Sequence, residues 1–429
     1  MNGSPELMRV HDDDGSVLAK KYGPGVTNYY SGSPLNRLSF LREDYAFLSR
    51  AFSSPDAQFI VLNDFAPLVH DPATIRPVRL EDFVSVSGPD PFKLSEKELA
   101  EAYDSKATTP LIVFLGIRED EVSEFRIREF RGCPWFAVDL TPKGSYADAA
   151  QKVIEQLTSN GSTFLRSVRQ STLSSELGKL LVLAEQAFSS QLTSHDIAAI
   201  YGQARGIADW NNRNQFCAGC GHPTLVVHGG YKRICPPTDR NGTETPHARG
   251  DCPSRVGISN IAFPRTDPTM IAAVVSADGK RVLLGRNKKW PPGFYSTLAG
   301  FLEPGEGIED CVRREVWEES GVRVGRVVMH SSQPWPYPAS LMLGAVACAL
   351  PDGEAIHLGH DPELEDARWV TIEELRKALK VPRPSAASVE QNGVEKGAFY
   401  LPPPTAIAHQ LLKSVSEGYA GFTNAQASL

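Results

Sequence analysis

Residues 300–322 read GFLEPGEGIEDCVRREVWEESGV. A glycine-rich turn runs into a stretch where Ile308, Val312 and Val316 recur every four residues, the stripe by which a helix buries one face. Gly321 falls where a helix C-terminus takes a residue of positive φ. Glu315, Glu318 and Glu319 stand at i, i+3 and i+4, so their carboxylates leave one face of that helix. Three like charges repel, and Arg314 alone does not compensate them. Hard divalent cations take oxygen ligands, and Mg2+ bridges carboxylates to the phosphates of a substrate. The stretch is therefore expected to be a metal platform for phosphate chemistry. The plain alternative is a solvated acidic helix.

The chain has 429 residues, 41% hydrophobic and 22% charged, which predicts two or three domains of ordinary composition. A net charge of −7 with no Lys/Arg block leaves no footprint for a nucleic-acid duplex. No run of 18 apolar residues predicts a transmembrane helix, so no membrane partner is expected. The start, MNGSPE, lacks the basic-then-apolar pattern of a signal peptide, and the protein is not expected to be secreted. Four of the seven cysteines cluster in 217–252, the usage of a metal site in a reducing compartment.

Residues 1–30 are polar, with Asp12, Asp13 and Asp14, and read as a mobile arm. Strand-like runs at 58–62, 110–116 and 135–139 and helical patterns at 147–158, 173–190 and 194–208 predict an N-terminal α/β domain over 31–208. It holds no catalytic constellation, and His70 and Cys133 read as structural. In 209–264, Cys217 and Cys220 flank a two-residue knuckle ahead of Gly221. Cys235 follows after 14 residues, a zinc-ribbon interval, and Cys252 after 16 more, which is not one; the four are expected to complete a closed tetrahedral structural zinc site, with no metal as the alternative. The Pro/Gly-rich segment 236–251 reads as an inserted loop, and His247 within it is a substitute ligand. The last domain, 265–425, opens with a β-hairpin of 270–275 and 281–286 about Asp278 and Gly279. SQPWPYPAS at 332–340 is stiffened by its prolines. Strands at 341–350 and 367–370 follow, then a helix over 372–380 behind a Thr371–Glu374 capping box. A loop over 381–398 and a closing helix over 406–416 end the domain.

Gly300, Glu306, Arg314, Glu315, Val316, Glu318, Glu319, Gly321 and Val322 fill every defined place of the Nudix box. SQPWPYPAS is similar to the SQPWPFPxS signature of the NADH pyrophosphatase subfamily of Nudix hydrolases; it departs at Tyr337, which keeps the ring. The order N-terminal domain, zinc knuckle, Nudix domain also resembles that subfamily. The resemblance implies a mixed α/β (α+β) fold, a Nudix sheet/helix sandwich preceded by a zinc ribbon and an N-terminal α/β domain.

It implies further that Glu315, Glu319, Glu363 and the carbonyl of Ala299 hold two or three Mg2+ or Mn2+ ions. Glu318 or Glu319 would position or deprotonate water, Arg314 would orient the glutamates, and Glu306 completes the catalytic set. Gln333, Pro334, Trp335, Pro336, Tyr337, Pro338, Ala339 and Ser340 match the substrate-recognition segment, a shelf for a second ring system. Phe263 and Phe301 match ring-stacking positions. Ala408 matches a substrate contact, although the family's Arg-Arg beside it is His409-Gln410 here. Cys217, Cys220, Cys235 and Cys252 would hold one Zn2+. The implied reaction is hydrolysis of NADH and NAD to nicotinamide mononucleotide and AMP by a homodimer. Alternatives are ADP-ribose, diadenosine polyphosphates or NAD-capped RNA as substrate and, from another class, an inactive zinc-ribbon binding module. A cytoplasmic or peroxisomal location is expected; the terminal Ala427-Ser428-Leu429 lacks the central basic residue of a peroxisomal tail.

Overall fold

The apolar runs of the N-terminal half assemble into one seven-stranded sheet. Its order is Leu35–Asn36, Ile112–Arg118, Cys133–Asp139, Gln58–Asn63, Ala66–Asp71 and Thr74–Ile75, with Thr163–Phe164 added to Ala66–Asp71. The computed structural model describes residues 26–71, 74–165, 195–256, 262–381 and 399–418. Residues 1–25, the expected helix over 173–190, positions 382–398 of the expected loop and the terminal tripeptide lie outside the described residues. Gln58–Asn63 and Cys133–Asp139 pair in parallel at the centre. Both are apolar without alternation because both sheet faces are covered. One face packs a phenylalanine-rich core, including Phe47, Phe52, Phe59, Phe83, Phe114 and Phe136, under helices Tyr45–Phe52 and Ala147–Thr158. The other face receives helix His195–Arg213 through Ala198, Ile200, Tyr201, Ala204 and Ala208.

The expected arm does not extend to residue 30. Asn28, Tyr29 and Tyr30 are buried, and Asn28 Nδ2 donates to Ser331 Oγ and to the Ser332 carbonyl, both at 2.9 Å. The polar composition hid this because the partners lie 303 residues further on. Cys133 is buried, with its thiol pushed up to about 12 by desolvation, in keeping with a structural role. His70, by contrast, is exposed.

The C-terminal domain is a six-stranded mixed sheet. Its order is Val324–Trp335, Ser340–Ala349, Asp267–Val275, Arg281–Asn287 and Leu364–Thr371, with Leu298–Phe301 on Asp267–Val275. One layer holds the box helix, Ile308–Ser320, which buries Val312 and Val316 against Met270 and Leu298. The other holds Ile372–Ala378 and the closing helix Ile407–Ser416, packed through Leu375, Leu411 and Leu412. The expected hairpin exists only at its turn: the two strands pair at Val275 and Val282. Leu298–Phe301 instead takes Thr269–Ala272, and Arg281–Asn287 zips along Leu364–Thr371. The proline-rich segment extends a strand as far as Trp335, with Gln333 opposite Met342 and Trp335 opposite Ser340, and 336–339 turn the chain between the two strands. Pro334 fits there because Val324–Trp335 is an edge strand. The capping box forms as expected, with the Glu374 amide donating to Thr371 Oγ1 at 3.2 Å.

Candidate active site

The box helix ends at Gly321, which takes φ 73° and caps the Trp317 carbonyl through its amide. Its carboxylate face lies over the short strand Leu298–Phe301. A Cβ built on Gly300 would come within 1.9 Å of Glu315 Cδ and 2.1 Å of its Oε1. Only glycine lets the carboxylate rest on the strand. Gly300 does not have a positive φ, so an alanine meets no backbone objection there. Gly300→Ala is therefore expected to fold with nearly unchanged thermal stability but to lose on the order of 10²-fold in turnover by displacing Glu315. Thermal melts and steady-state kinetics on the same sample check both halves.

Arg314 is the hub of the face. Its Nε and Nη2 fork onto Glu306 at 2.5 and 2.9 Å, and Nη1 donates to Glu315 Oε1 and Glu318 Oε2, both at 2.9 Å. Nη2 also reaches the Phe301 carbonyl at 2.9 Å, tying the helix to the strand end. Such bidentate charge-assisted bonds fix orientation as well as energy. The guanidinium, with help from the Glu303 amide, holds the Glu306 carboxyl down at about 2.

Glu319 has no such relief. It is buried, and its carboxyl is pushed up to about 9, first by desolvation and then by Glu363, Glu315, Asp361 and Glu318. Its strongest charged neighbours are all carboxylates. Burial also raises Glu315. Glu363 is placed by Asn287, whose Nδ2 donates to Glu363 Oε1 at 2.7 Å. The Glu363 amide donates to Asp361 Oδ1 at 3.0 Å, and the Asp361 amide donates to the Glu318 carbonyl at 3.1 Å. The His357 amide donates to the Ser320 carbonyl at 2.8 Å, and His360 stacks on Trp317 at 4.3 Å. The acidic loop is thus stitched to the end of the box helix. Asn287 carries no sequence pattern that could have identified it, and Asp361 is marked only by its place two residues before Glu363.

An all-oxygen set with a buried, uncompensated carboxylate fits a hard divalent cation. The carboxylates do not close on a single point, because Glu315 and Glu318 face Arg314. Among the described residues, the group whose ligand atoms lie within 4.8 Å of one another is Cys217, Cys220, Cys235 and Cys252. Their sulfurs pair at 3.5 Å, Cys217 with Cys252 and Cys220 with Cys235. That is far beyond the roughly 2.05 Å of a disulfide. His247 is not part of this group. It sits exposed on a small hairpin, Thr238–Asp239 with His247–Ala248, and bonds Thr243 Oγ1 at 3.2 Å. The insertion is not a free loop either, since its Asp239 Oδ1 accepts from the Ser105 amide and its Arg240 amide donates to the Tyr103 carbonyl, both at 2.9 Å.

Residues 333–340 are more enclosed than the expected shelf. Gln333 Nε2 donates to the Tyr29 and Thr405 carbonyls at 3.1 and 2.8 Å, and its Oε1 accepts the Ile407 amide at 2.9 Å. This side chain ties its strand to two further backbone segments, at Tyr29 and at 405–407. Trp335 and Tyr337 are half-buried, with ring centroids 6.2 and 6.5 Å from that of Tyr30. Ala408 lies on the closing helix with its side chain buried in the core, while Phe263 and Phe301 are exposed. Ala299 pairs with Ile271 beside the box.

The NUDIX domain family profile matches residues 266–390, and that of the NADH pyrophosphatase zinc ribbon domain matches 212–241. The NAD-capped RNA hydrolase of Schizosaccharomyces pombe is 33% identical over 414 residues, 94% of this chain and 96% of that relative. The human NAD-capped RNA hydrolase NUDT12 is 34% identical over 402 residues, 90% of this chain and 72% of its own length. The human mitochondrial NAD(P)H pyrophosphatase NUDT13 is 34% identical over 281 residues, 65% and 67% of the two chains. The chain belongs to the Nudix hydrolases. Its zinc ribbon, joined to the box and the SQPWPYPAS hairpin, places it in the NADH pyrophosphatase branch of that family.

Proposed function

We propose that the protein hydrolyses the diphosphate bond of NADH and NAD, giving the nicotinamide mononucleotide and AMP. The observation that carries this reading is Glu319, a carboxylate raised first by its burial and then by four acidic neighbours, on a face that also holds the complete box. Glu315, Glu319, Glu363 and the Ala299 carbonyl would hold two or three Mg2+ or Mn2+ ions, which when bound offset diphosphate charge and acidify water. Arg314 keeps Glu306, Glu315 and Glu318 in register. Glu318 or Glu319 orients the attacking water and takes its proton. The water oxygen bonds to phosphorus as the bridging P–O bond breaks, and the leaving phosphate departs with its nucleoside. Exposed Phe263 and Phe301 offer faces for stacking a base. Residues 333–340 bound the place of the second ring. Cys217, Cys220, Cys235 and Cys252 hold one structural Zn2+. The working unit is a homodimer that covers the exposed Phe216 and Val256 beside the ribbon.

A second reading, removal of NAD caps from RNA, is favoured by the names of the Schizosaccharomyces pombe relative and human NUDT12. It breaks the same bond. The net charge of −7 supplies no general phosphate track, so free dinucleotide comes first. Incubation with NADH, NAD, ADP-ribose and NAD-capped RNA, with and without Mg2+ or Mn2+, tests the choice. Metal-dependent AMP release, fastest from NADH, is expected. Faster turnover of ADP-ribose would overturn the substrate, and inertness of zinc-loaded protein on all four would leave a binding module.

A further inference from the structure

Arg205 belongs to helix His195–Arg213 of the N-terminal domain, yet its side chain is spent on the recognition hairpin of the C-terminal one. It is 0% exposed. A buried guanidinium must be matched by good partners. Nη1 donates to the Pro336 carbonyl and, at 3.2 Å, to the Pro338 carbonyl. Its Cζ lies 4.6 Å from the centroid of the Tyr337 ring and 5.4 Å from that of Phe65. Pro336 and Pro338 have no N–H groups, so the turn has few donors of its own with which to close. One planar fork supplies the donor to two carbonyls and stacks on the ring between them, which a lysine cannot do. Asn28 holds Ser331 and Ser332 from the same side, and the Tyr29 carbonyl holds Gln333. The hairpin is thus gripped from 331 to 338 by a domain that carries no box residue.

We infer that Arg205 is a positioning residue for substrate recognition, through which the N-terminal domain sets the shape of the 336–339 turn without touching substrate. The inference rests on the proposed role of residues 333–340 in meeting the second ring of the dinucleotide. A merely structural arginine would affect all substrates alike. A positioning one should discriminate NADH, which has a second base, from ADP-ribose, which lacks it.

The test uses full-length, zinc-loaded Arg205→Met and Arg205→Lys. With Arg205→Met, KM for NADH should rise about tenfold while kcat stays within about threefold and KM for ADP-ribose barely moves. Arg205→Lys should restore part of the NADH affinity. Hydrogen exchange at the Trp335, Tyr337 and Ala339 amides should quicken, with the box helix unchanged. Equal rises in KM for both substrates, or unchanged exchange at those amides, would overturn the inference. If Arg205→Met does not fold, Phe65→Leu loosens the guanidinium from the N-terminal side, away from the recognition segment. It must then give the same selective loss, and a non-selective one refutes the proposal. Wild-type protein inert on NADH would sink the functional reading separately, leaving the exchange measurement to decide on Arg205.

Discussion

Glu319→Gln is expected to lose at least on the order of 10²–10³-fold in kcat while its cation-free form becomes more stable than the wild type in alkali. Both effects have one cause. Glu319 ionises in the folded protein only near pH 9, against an ordinary 4.5, because it is buried among carboxylates. Below pH 4.5 the group is protonated folded and unfolded, and it costs nothing. Above that, the unfolded chain sheds a proton that the folded chain keeps. Stability therefore falls as pH rises, and the fall ends only above about 9. Each pH unit in that window is worth about 1.4 kcal/mol. Glutamine imitates the protonated form and escapes this loss, but it offers no anionic ligand. Calorimetry of the cation-free wild type should show the melting temperature dropping from pH 6 to pH 9. Mg2+ should recover more of it at pH 9 than at pH 6. The variant should show neither the slope nor the recovery. Near-normal turnover of Glu319→Gln at saturating Mg2+ would remove Glu319 from the site.

The same helix shows why part of the site could be read from sequence. Val312 and Val316 fix which face is buried, spacing fixes where the carboxylates emerge, and Gly321 marks the end; all three are local properties of a 3.6-residue period. The glycine at 300 was visible as part of a pattern, but its reason, the carboxylate resting on it, is a tertiary contact. What escaped was non-local. Asn28 and Tyr29 look like part of a polar arm until their partners in the 331–333 strand are known. Asn287 is an ordinary strand-end residue until Glu363 arrives beside it. The turn at Asp278 and Gly279 was local and correctly placed. The ladder beyond it was not, because Leu298–Phe301 competes for the same strand edge. Trp335 and Tyr337 show the limit of a motif: the sequence names the rings, while packing against Tyr30 and Arg205 decides which way they face.

The other large effect is expected at the ribbon, where Cys252→Ser should abolish zinc retention and unfold residues of the 217–256 segment, whereas His247→Ala should change neither. The hydrophobic cluster there consists of Cys217, Cys235 and Cys252 with Cys220 against them, so the sulfurs themselves are its core. Without a metal the group conflicts with itself. Ser254 holds the Cys252 thiol down to about 6, while burial and Cys220 push the Cys235 thiol up to about 12. An ion bound by four thiolates removes that conflict, and binding of structural zinc contributes on the order of 10 kcal/mol in small zinc domains. The loss should spread, because Arg233 joins the ribbon to the Asn211 carbonyl at 3.4 Å and Asn211 Nδ2 donates back to the Gly230 carbonyl at 2.9 Å. Metal analysis should give one zinc per chain for the wild type and for His247→Ala, and less than about a tenth for Cys252→Ser. The two variants are a controlled pair, since His247 lies within the insertion, Cys252 directly follows it, and only Cys252 aims at the cluster. Zinc lost on replacing His247 would mean that the insertion, not Cys252, closes the site.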